Sequence, residues 1–278
     1  MHNELFTIGN YTVTGYGLCL ALAIIAAYFT TELGIRYYKL DINLALPMVA
    51  SAVIPGFIGA KGLYLIQIAD KIKADPSIIS KHIIDGFVIY GGIVVAIPSV
   101  YLCLKLMKVD ILQYMDIGIA SIAIAQAIGR VGCFLAGCCH GKEISSDCAI
   151  AITYTNSSFA VNYVSYFPIQ LVCVVLNLIN FIFLLALNKH VKIKGVTLFS
   201  YMITYGIGRF IIEFFRGDEI RGFIGPLSVS QFISLFVATI GIIACSVCII
   251  KHNKNNKETE KLKTKTVVNQ SKKRRKSK

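Results

Sequence analysis

The stretch at residues 168–188, PIQLVCVVLNLINFIFLLALN, contains no charged side chain. A helix of about 20 apolar residues is long enough to cross the hydrocarbon core of a bilayer. Similar stretches recur along the chain, whose 278 residues are 55% hydrophobic and only 15% charged. Soluble domains carry about 25% charged residues, so the composition indicates an integral membrane protein.

The apolar stretches predict an all-α, polytopic membrane protein with about seven transmembrane helices. The second stretch contains Pro47, Pro55 and Lys61, so we expect a kink or a break there. The residues before the first stretch lack the basic region and the small-residue cleavage site of a signal peptide. The predicted spans are residues 16–33, 44–70, 83–104, 113–130, 168–188, 195–215 and 229–250.

Lysines and arginines are concentrated in alternate connections and in the C-terminal tail. The tail after Ile250 holds twelve of the 28, and the connections near 34–43, 105–112 and 189–194 hold seven more. The positive-inside rule therefore predicts a cytoplasmic C-terminus and an N-terminus outside, with small extracytoplasmic loops.

The chain changes from apolar to basic after Ile250, which divides it into two parts. We predict that residues 1–250 form the transmembrane domain, which carries the functional site, and that residues 251–278 form a disordered basic cytoplasmic tail. Such a tail is expected to rest against anionic lipid. It has no aromatic residue to stack on bases, so no nucleic-acid partner is expected.

Four of the nine cysteines, Cys133, Cys138, Cys139 and Cys148, lie close together in sequence, with His140 beside them. Their C-x4-C-C-H-x7-C spacing is not that of a zinc finger or ribbon. Three alternatives stay open: a zinc site, a disulfide from Cys148 to Cys138 or Cys139, and thiols that pack or react without a partner. The other five cysteines lie in apolar spans and are expected to behave as small hydrophobic residues.

The stretch TYGIGRFIIEFFRGDE, residues 204–219, places charges inside a predicted span. Tyr205, Arg209, Glu213 and Arg216 follow at intervals of four, four and three residues, which aligns them on one helical face. Charged residues within spans are costly and usually functional. Glu213 can pair with one arginine and leave the other to hold an anion. The alternative is an ion pair that only locks helix packing.

The stretch AIGRVGCFLAGCCHGK, residues 127–142, carries a second arginine at a predicted helix end. Gln126, Arg130 and Cys133 share one face by the same spacing. A guanidinium group presents a planar fork of donors that suits phosphate oxygens, although an arginine at a helix end can also simply reach towards water. We predict that Arg130 and Arg209 together clamp the phosphate of a lipid headgroup. Glycines that permit a tight turn here are Gly129, Gly132, Gly137 and Gly141.

These segments, with GPLSVSQFISL at 225–235 and YFPIQL at 166–171, resemble the prolipoprotein diacylglyceryl transferase family over roughly residues 10–250. The resemblance implies seven transmembrane helices in the bacterial cytoplasmic membrane. It also implies transfer of a diacylglyceryl group from phosphatidylglycerol to the lipobox cysteine of preprolipoproteins, the first step of lipoprotein maturation. The product is a thioether, glycerol phosphate leaves, and no metal or cofactor is required. The implied partners are phosphatidylglycerol, preprolipoprotein signal peptides and other membrane lipids.

The resemblance also assigns roles to residues. Arg130 matches the phosphate-binding arginine of the family's signature turn, and Arg209 lies in the matching late helix. The further catalytic residues implied or inferred are Tyr205, Glu213, Tyr90 and His140, and the further substrate-binding residues are Tyr16, Lys61, Gln126, Gly129, Gly132 and Gly141.

The chain departs from the family pattern at several of these positions. Tyr90 stands where the family has a histidine, Cys133 replaces an asparagine, Cys138 replaces a glutamate, and Lys61 replaces a basic residue that is usually arginine. The general base is therefore sought among Tyr90, His140 and Glu213, with Tyr90 first by position and Glu213 as the residue that orients the arginines. Alternative functions are a relative with another acceptor, a lipid-binding relative without activity, an anion transporter, and a thiol–disulfide enzyme that uses Cys138 and Cys139.

Overall fold

The computed structural model describes residues 4–9, 11–75, 77, 86–157, 159–217 and 222–276, and most of these residues are helical. The helices are α1 (Gly15–Tyr37), α2 (Ala45–Gln67), α3 (Ala69–Ala74), α4 (Ile89–Leu106), α5 (Ile111–Ala136), α6 (Ile169–His190), α7 (Val196–Glu213) and α8 (Val229–Lys276). Three short antiparallel hairpins pair β1 (Glu4–Ile8) with β2 (Tyr11–Thr14), β3 (Ile152–Thr153) with β4 (Ser165–Tyr166), and β5 (Phe223–Ile224) with β6 (Leu227–Ser228).

Six helices within the described residues are long and apolar enough to cross a membrane, which confirms the predicted all-α, polytopic membrane protein. The predicted span that is not among these six, residues 195–215, corresponds to α7, which has 18 residues but is more polar because its face carries tyrosines, Arg209 and Glu213. The six spans are Gly15–Tyr37, Ile42–Gln67, Ile89–Leu106, Ile111–Ala136, Ile169–His190 and Val229–Glu258.

Helix α2 has no break at its prolines, and the kink that was the other expectation stays a prediction. It runs without interruption from Ala45 to Gln67 with Pro55 inside it. Pro47 lies in the first turn, where a proline costs little because the first backbone N–H groups of a helix have no partner within the helix. Residues 83–85, the predicted start of the third span, and with them Asp85, lie outside the described residues.

Helix α8 continues beyond its apolar part to Lys276 and so includes most of the basic tail. The boundary at residue 250 marks a change of composition within this helix. Both the division into two parts at that residue and the disorder of the tail stay predictions.

Helix α5 packs mainly against α1 and α6 and also contacts α7, while α2 pairs with α4 and α7 with α8. Small residues allow these helices to approach closely. A side chain at Gly59 of α2 would overlap the backbone of Gly91 in α4, and one at Gly206 of α7 would overlap Ser234 in α8. The packing therefore sets the positions of the polar side chains that the helices carry.

Asp116, a buried carboxylate on α5 that the sequence analysis did not single out, fixes the start of α7. Its two oxygens accept hydrogen bonds from the backbone N–H groups of Gly195 at 2.6 Å and Leu198 at 2.7 Å. An anion at this place also interacts favourably with the positive end of the helix dipole. Asp116 thus ties α7 to α5, the two helices that carry Arg209 and Arg130.

We expect Asp116→Asn to lower the stability of the protein. The amide has one acceptor oxygen, so one buried N–H at the start of α7 loses its partner, at a cost of about 1–3 kcal/mol. The matched control is Asp110→Asn, because Asp110 also caps a helix, through Gln113, but lies at the surface. Thermal unfolding in detergent measures both. An equal decrease of the midpoint for the two variants would contradict the role of Asp116.

Candidate active site

The polar face of α7 forms a buried ion-pair network near the end of the helix. The Arg209 guanidinium lies 2.6 Å from a Glu213 carboxylate oxygen, and Arg216 Nε lies 4.0 Å from the same oxygen. Both arginines are more than nine-tenths buried. The predicted alignment of these side chains is therefore present, with one carboxylate between two guanidinium groups.

The start of α8 holds the other oxygen of Glu213. Ser228 donates its hydroxyl hydrogen to Glu213 Oε1 at 3.0 Å and accepts a hydrogen bond from the Gln231 backbone N–H at 3.1 Å. Gln231 in turn accepts from the Ser228 N–H at 3.0 Å, so the two residues form a reciprocal N-terminal cap. The cap of α8 thereby fixes the orientation of the Glu213 carboxylate.

Arg130 lies near the end of α5, close to residues of α6, of α7 and of the turn after α5. It lies within electrostatic range of Tyr205 on α7 and of Cys133, Cys139 and Cys173. Four residues earlier on α5, Gln126 accepts a 2.9 Å hydrogen bond from the Tyr201 hydroxyl, and the Tyr201 ring stacks on Tyr205. The predicted residues of α5 and α7 thus lie on facing surfaces of two adjacent helices.

The start of α1 completes this side of the site. A side chain at Gly132 would come within 3.0 Å of Cys19 and 3.3 Å of the Tyr16 ring, so the glycine permits close contact between α5 and α1. This contact places Tyr16 within electrostatic range of Arg130 and of Cys133. Gly129 lies on the open side of α5, with no atom close to where a side chain would start.

The turn after α5 connects Arg130 to the end of α7. Gly141 pairs with Arg216 in an isolated antiparallel bridge, and the Gly217 N–H donates to the His140 carbonyl oxygen at 3.4 Å. Gly141 is packed so closely against Phe167 that a side chain would overlap its backbone. The ring of His140 lies 4.4 Å from that of Tyr166. The turn is therefore held in place on both sides.

Three cysteines of this turn form a cluster. The Sγ atoms of Cys133, Cys138 and Cys139 all lie within 4.8 Å of one another, and each residue is partly buried. Hydrogen bonds from the thiols of Cys133 and Cys138, together with the Arg216 guanidinium, lower the pKa of Cys139. Cys148 is exposed and is not part of the cluster, and none of the nine cysteines, all within the described residues, forms a disulfide.

Gln170 and Tyr154 form hydrogen bonds that support the turn after α5. The Gln170 side-chain amide donates to the Cys138 carbonyl oxygen at 2.9 Å and to the Tyr154 hydroxyl at 3.1 Å. Burial raises the pKa of Tyr154 to about 12, so its hydroxyl stays protonated at neutral pH. These contacts fix the backbone between Cys138 and the start of α6.

Two further predicted residues, Lys61 and Tyr90, lie on the helix pair α2 and α4. Lys61 on α2 lies over the rings of Tyr64 and Phe87, at 5.3 Å and 5.0 Å from their centroids. Tyr90 begins α4, which packs on α2, and is 36% exposed. These ring contacts join Lys61 to a residue of its own helix and to Phe87, which lies just before α4. The roles of Lys61 and Tyr90 stay predictions.

The sequence analysis missed three residues that shape the site: Tyr201, Ser228 and Asp116. The sequence could have indicated Tyr201, because it lies four residues before Tyr205 and so extends the polar face of Tyr205 and Arg209 by one more helical turn. It could also have indicated Ser228, because a serine followed three residues later by Gln231 is typical of a helix start. Only the charge of Asp116 within a predicted span could have indicated it, because the backbone groups that it binds are distant in sequence.

The fold and this site together define a polytopic membrane protein with buried arginines that face a thiol-rich turn. The family model of prolipoprotein diacylglyceryl transferase matches residues 3–247. The chain belongs to this family.

Relatives from three clostridia resemble the chain over most of its length. A phosphatidylglycerol–prolipoprotein diacylglyceryl transferase of Clostridium tetani is 37% identical over 89% of this chain and 98% of its own length. A protein of Clostridium perfringens named phosphatidylglycerol–prolipoprotein diacylglyceryl transferase 2 is 36% identical over 92% of this chain and 97% of its own. A relative of the same name from Clostridium botulinum is 30% identical over 86% of this chain and 92% of its own.

Proposed function

We propose that this protein transfers the diacylglyceryl group of phosphatidylglycerol to the lipobox cysteine of preprolipoproteins. The observation that carries the proposal is the similarity, over nearly the whole length of both chains, to relatives named for this reaction. We further propose that it acts in the bacterial cytoplasmic membrane, with the N-terminus outside, the C-terminus in the cytoplasm and the turn after α5 at the outer surface.

The reaction exchanges one bond for another at a lipid carbon. The acceptor sulfur forms a bond to the glyceryl carbon that carries the phosphate ester, and the carbon–oxygen bond breaks. The electron pair of that bond goes to the phosphate oxygen, and glycerol phosphate leaves. The thiol proton goes to a base or to solvent. The negative charge on the phosphate increases during this step, from one unit in the diester to nearly two units in the monoester at neutral pH.

Arg130 and Arg209 are proposed to stabilise this growing charge. Two arginines, Arg209 and Arg216, flank the single carboxylate of Glu213, which leaves an excess of positive charge for an anion. Arg130 adds a further positive charge within electrostatic range of Tyr205 on α7. Fixed positive groups that meet a charge as it develops lower the barrier more than they stabilise the bound substrate. Glu213 is proposed to orient Arg209, because Ser228 holds its second oxygen.

The acceptor thiol must be deprotonated before it reacts, since its ordinary pKa is about 8.5. Of the three predicted bases, Glu213 is engaged with two arginines and a serine, and Tyr90 lies with α2 and α4. His140 lies in the turn itself, where its Nδ1 is 3.0 Å from the Gly141 carbonyl oxygen. His140 is thus a candidate side-chain base within the turn and Tyr90 a candidate on α4, and both assignments stay proposals.

The proposed function is tested by direct detection of the product. The purified full-length protein is placed in vesicles that contain phosphatidylglycerol and is incubated with a peptide that carries a lipobox. Mass spectrometry is expected to show one diacylglyceryl group on the peptide's cysteine. The controls are a peptide with serine in place of that cysteine and vesicles of phosphatidylcholine alone, neither of which should give product. Unmodified peptide in all samples would contradict the proposal.

A further inference from the structure

Three sulfur atoms meet at the rim of the proposed active site in a geometry that suits a metal ion. Cys133, Cys138 and Cys139 have their Sγ atoms within 4.8 Å of one another. Zinc binds thiolate sulfur at about 2.3 Å in tetrahedral sites, which places two such sulfurs about 3.8 Å apart. Small side-chain movements bring the three sulfurs to that separation.

The backbone that carries these thiols is fixed before any ion binds. Helix α5 ends at Gly137, whose φ is +71°, and the Cys138 N–H donates to the Cys133 carbonyl oxygen at 3.1 Å. Cys139 has a φ of +55°, a left-handed conformation that residues other than glycine and asparagine rarely adopt. Strained conformations of this kind are concentrated at functional sites. Gln170 holds the carbonyl of Cys138 from the other side.

The charges around the cluster suit a metal bound by three thiolates. Three thiolates and one divalent ion carry a net charge of minus one. Arg216 forms a hydrogen bond with Cys139, and Arg130 lies within electrostatic range of Cys133 and Cys139, so guanidinium groups offset this charge. Thiolate ligands select soft ions such as zinc over magnesium or calcium. Zinc is also not redox-active, so the site needs no electron donor or acceptor.

We propose that Cys133, Cys138 and Cys139 bind one zinc ion and that its open fourth position receives the thiol of the acceptor substrate. Three protein ligands and one open position are typical of catalytic zinc, whereas structural zinc sites are closed by four. The second part of this proposal rests on the proposed function. In this proposal the thiol-rich turn binds the acceptor substrate, and the neighbouring arginines bind the lipid phosphate.

The chemistry of the step balances without a further reactant. A thiol that coordinates zinc loses its proton, which here passes to solvent. The zinc-bound sulfur forms the bond to the glyceryl carbon as the carbon–oxygen bond breaks, and the electron pair leaves with the phosphate of glycerol phosphate. The product sulfur is a neutral thioether and a weaker ligand than a thiolate, so it leaves the ion and the position opens again.

Cobalt(II) is a suitable probe, because it takes the place of zinc and its absorption spectrum reports thiolate ligands and tetrahedral geometry. The full-length protein is treated with a chelator under a reductant that is not a thiol, and is then titrated with cobalt(II). We expect one equivalent to bind, with thiolate-to-metal charge-transfer bands. Cys133→Ser and Cys139→Ser should each weaken these bands and the affinity, whereas Cys148→Ser, at an exposed thiol outside the cluster, should match the unchanged protein. Absence of these bands in the unchanged protein would overturn the metal site.

The role of the fourth position is tested with the same probe. A lipobox peptide with cysteine should change the cobalt spectrum, and the peptide with serine should not. Identical spectra with both peptides would overturn the assignment of the acceptor to the metal.

The activity of the metal-free protein separates this inference from the proposed function. We expect removal of zinc to lower the rate of diacylglyceryl transfer by roughly 10²-fold or more, the lower range of the effect of a general base, and added zinc to restore it. A full rate without metal would overturn the role of zinc in the transfer and leave the transferase in place. If cobalt binds and its spectrum responds to the peptide but no lipid product forms, the proposed transferase function would be overturned and the metal site would stand.

Discussion

Lysine in place of Arg130 is expected to lower the rate of diacylglyceryl transfer by roughly 10²–10³-fold, the usual effect of removing one donor to a developing negative charge. The same decrease is expected for Arg209→Lys. Lysine keeps the charge but offers a point charge instead of a planar fork, so it cannot make two parallel hydrogen bonds to phosphate. The rate is measured as the initial rate of product formation by mass spectrometry.

A control variant on α1 distinguishes a decrease of the rate that is specific to the site from a general effect of replacing arginine by lysine. Arg36 on α1 is paired with Glu32 at 2.6 Å, the same distance and spacing as Arg209 with Glu213, but the Arg36 side chain is 63% exposed. Arg36→Lys should therefore leave the rate unchanged. All variants should reach the membrane in equal amounts. Rates near that of the unchanged protein for both Arg130→Lys and Arg209→Lys would contradict the clamp.

Glu213→Gln is expected to destabilise the protein strongly. The carboxylate lies between Arg209 at 2.6 Å and Arg216 at 4.0 Å, and both arginines are buried. Its loss leaves two buried positive charges facing each other without an anion, and the removal of one partner from a buried pair costs about 3–5 kcal/mol. The midpoint of thermal unfolding in detergent measures this loss.

Glu32→Gln is the control for this variant. It breaks an ion pair of the same spacing whose arginine is exposed, so a cost of about 1 kcal/mol or less is expected. A second measurement distinguishes the network from simple packing: addition of phosphatidylglycerol should restore part of the stability of Glu213→Gln, because the lipid phosphate supplies the missing negative charge. Equal midpoints for Glu213→Gln and Glu32→Gln would show that the buried network contributes nothing.

The membrane helices could be predicted well because their signal is local. A stretch of apolar residues long enough for the bilayer is visible without any knowledge of its neighbours. The stretch at 168–188 corresponds to helix Ile169–His190, and 113–130 lies within Ile111–Ala136. Of the kink or break predicted for α2, the break does not occur, because the helix continues through Pro55, and the kink stays a prediction. The sequence rule for proline does not show what the surrounding helices permit.

The site could be predicted only where its residues share one helix. The face of Tyr205, Arg209 and Glu213 follows from a spacing of four residues and is present. The approach of Cys139 to Arg216 depends on how the turn after α5 folds against the end of α7, which no local spacing encodes. The same holds for Asp116, whose partners lie 79 and 82 residues further along the chain.

The central claim is that Arg130 and Arg209 bind the phosphate of one lipid molecule. An experimental structure of the protein in a phosphatidylglycerol bilayer, with a donor analogue whose phosphate ester cannot be cleaved, tests this claim most directly. We expect nitrogen atoms of both guanidinium groups at about 2.7–2.9 Å from oxygens of the same phosphate. A lipid phosphate bound by only one of the two arginines, with the other directed elsewhere, would contradict it.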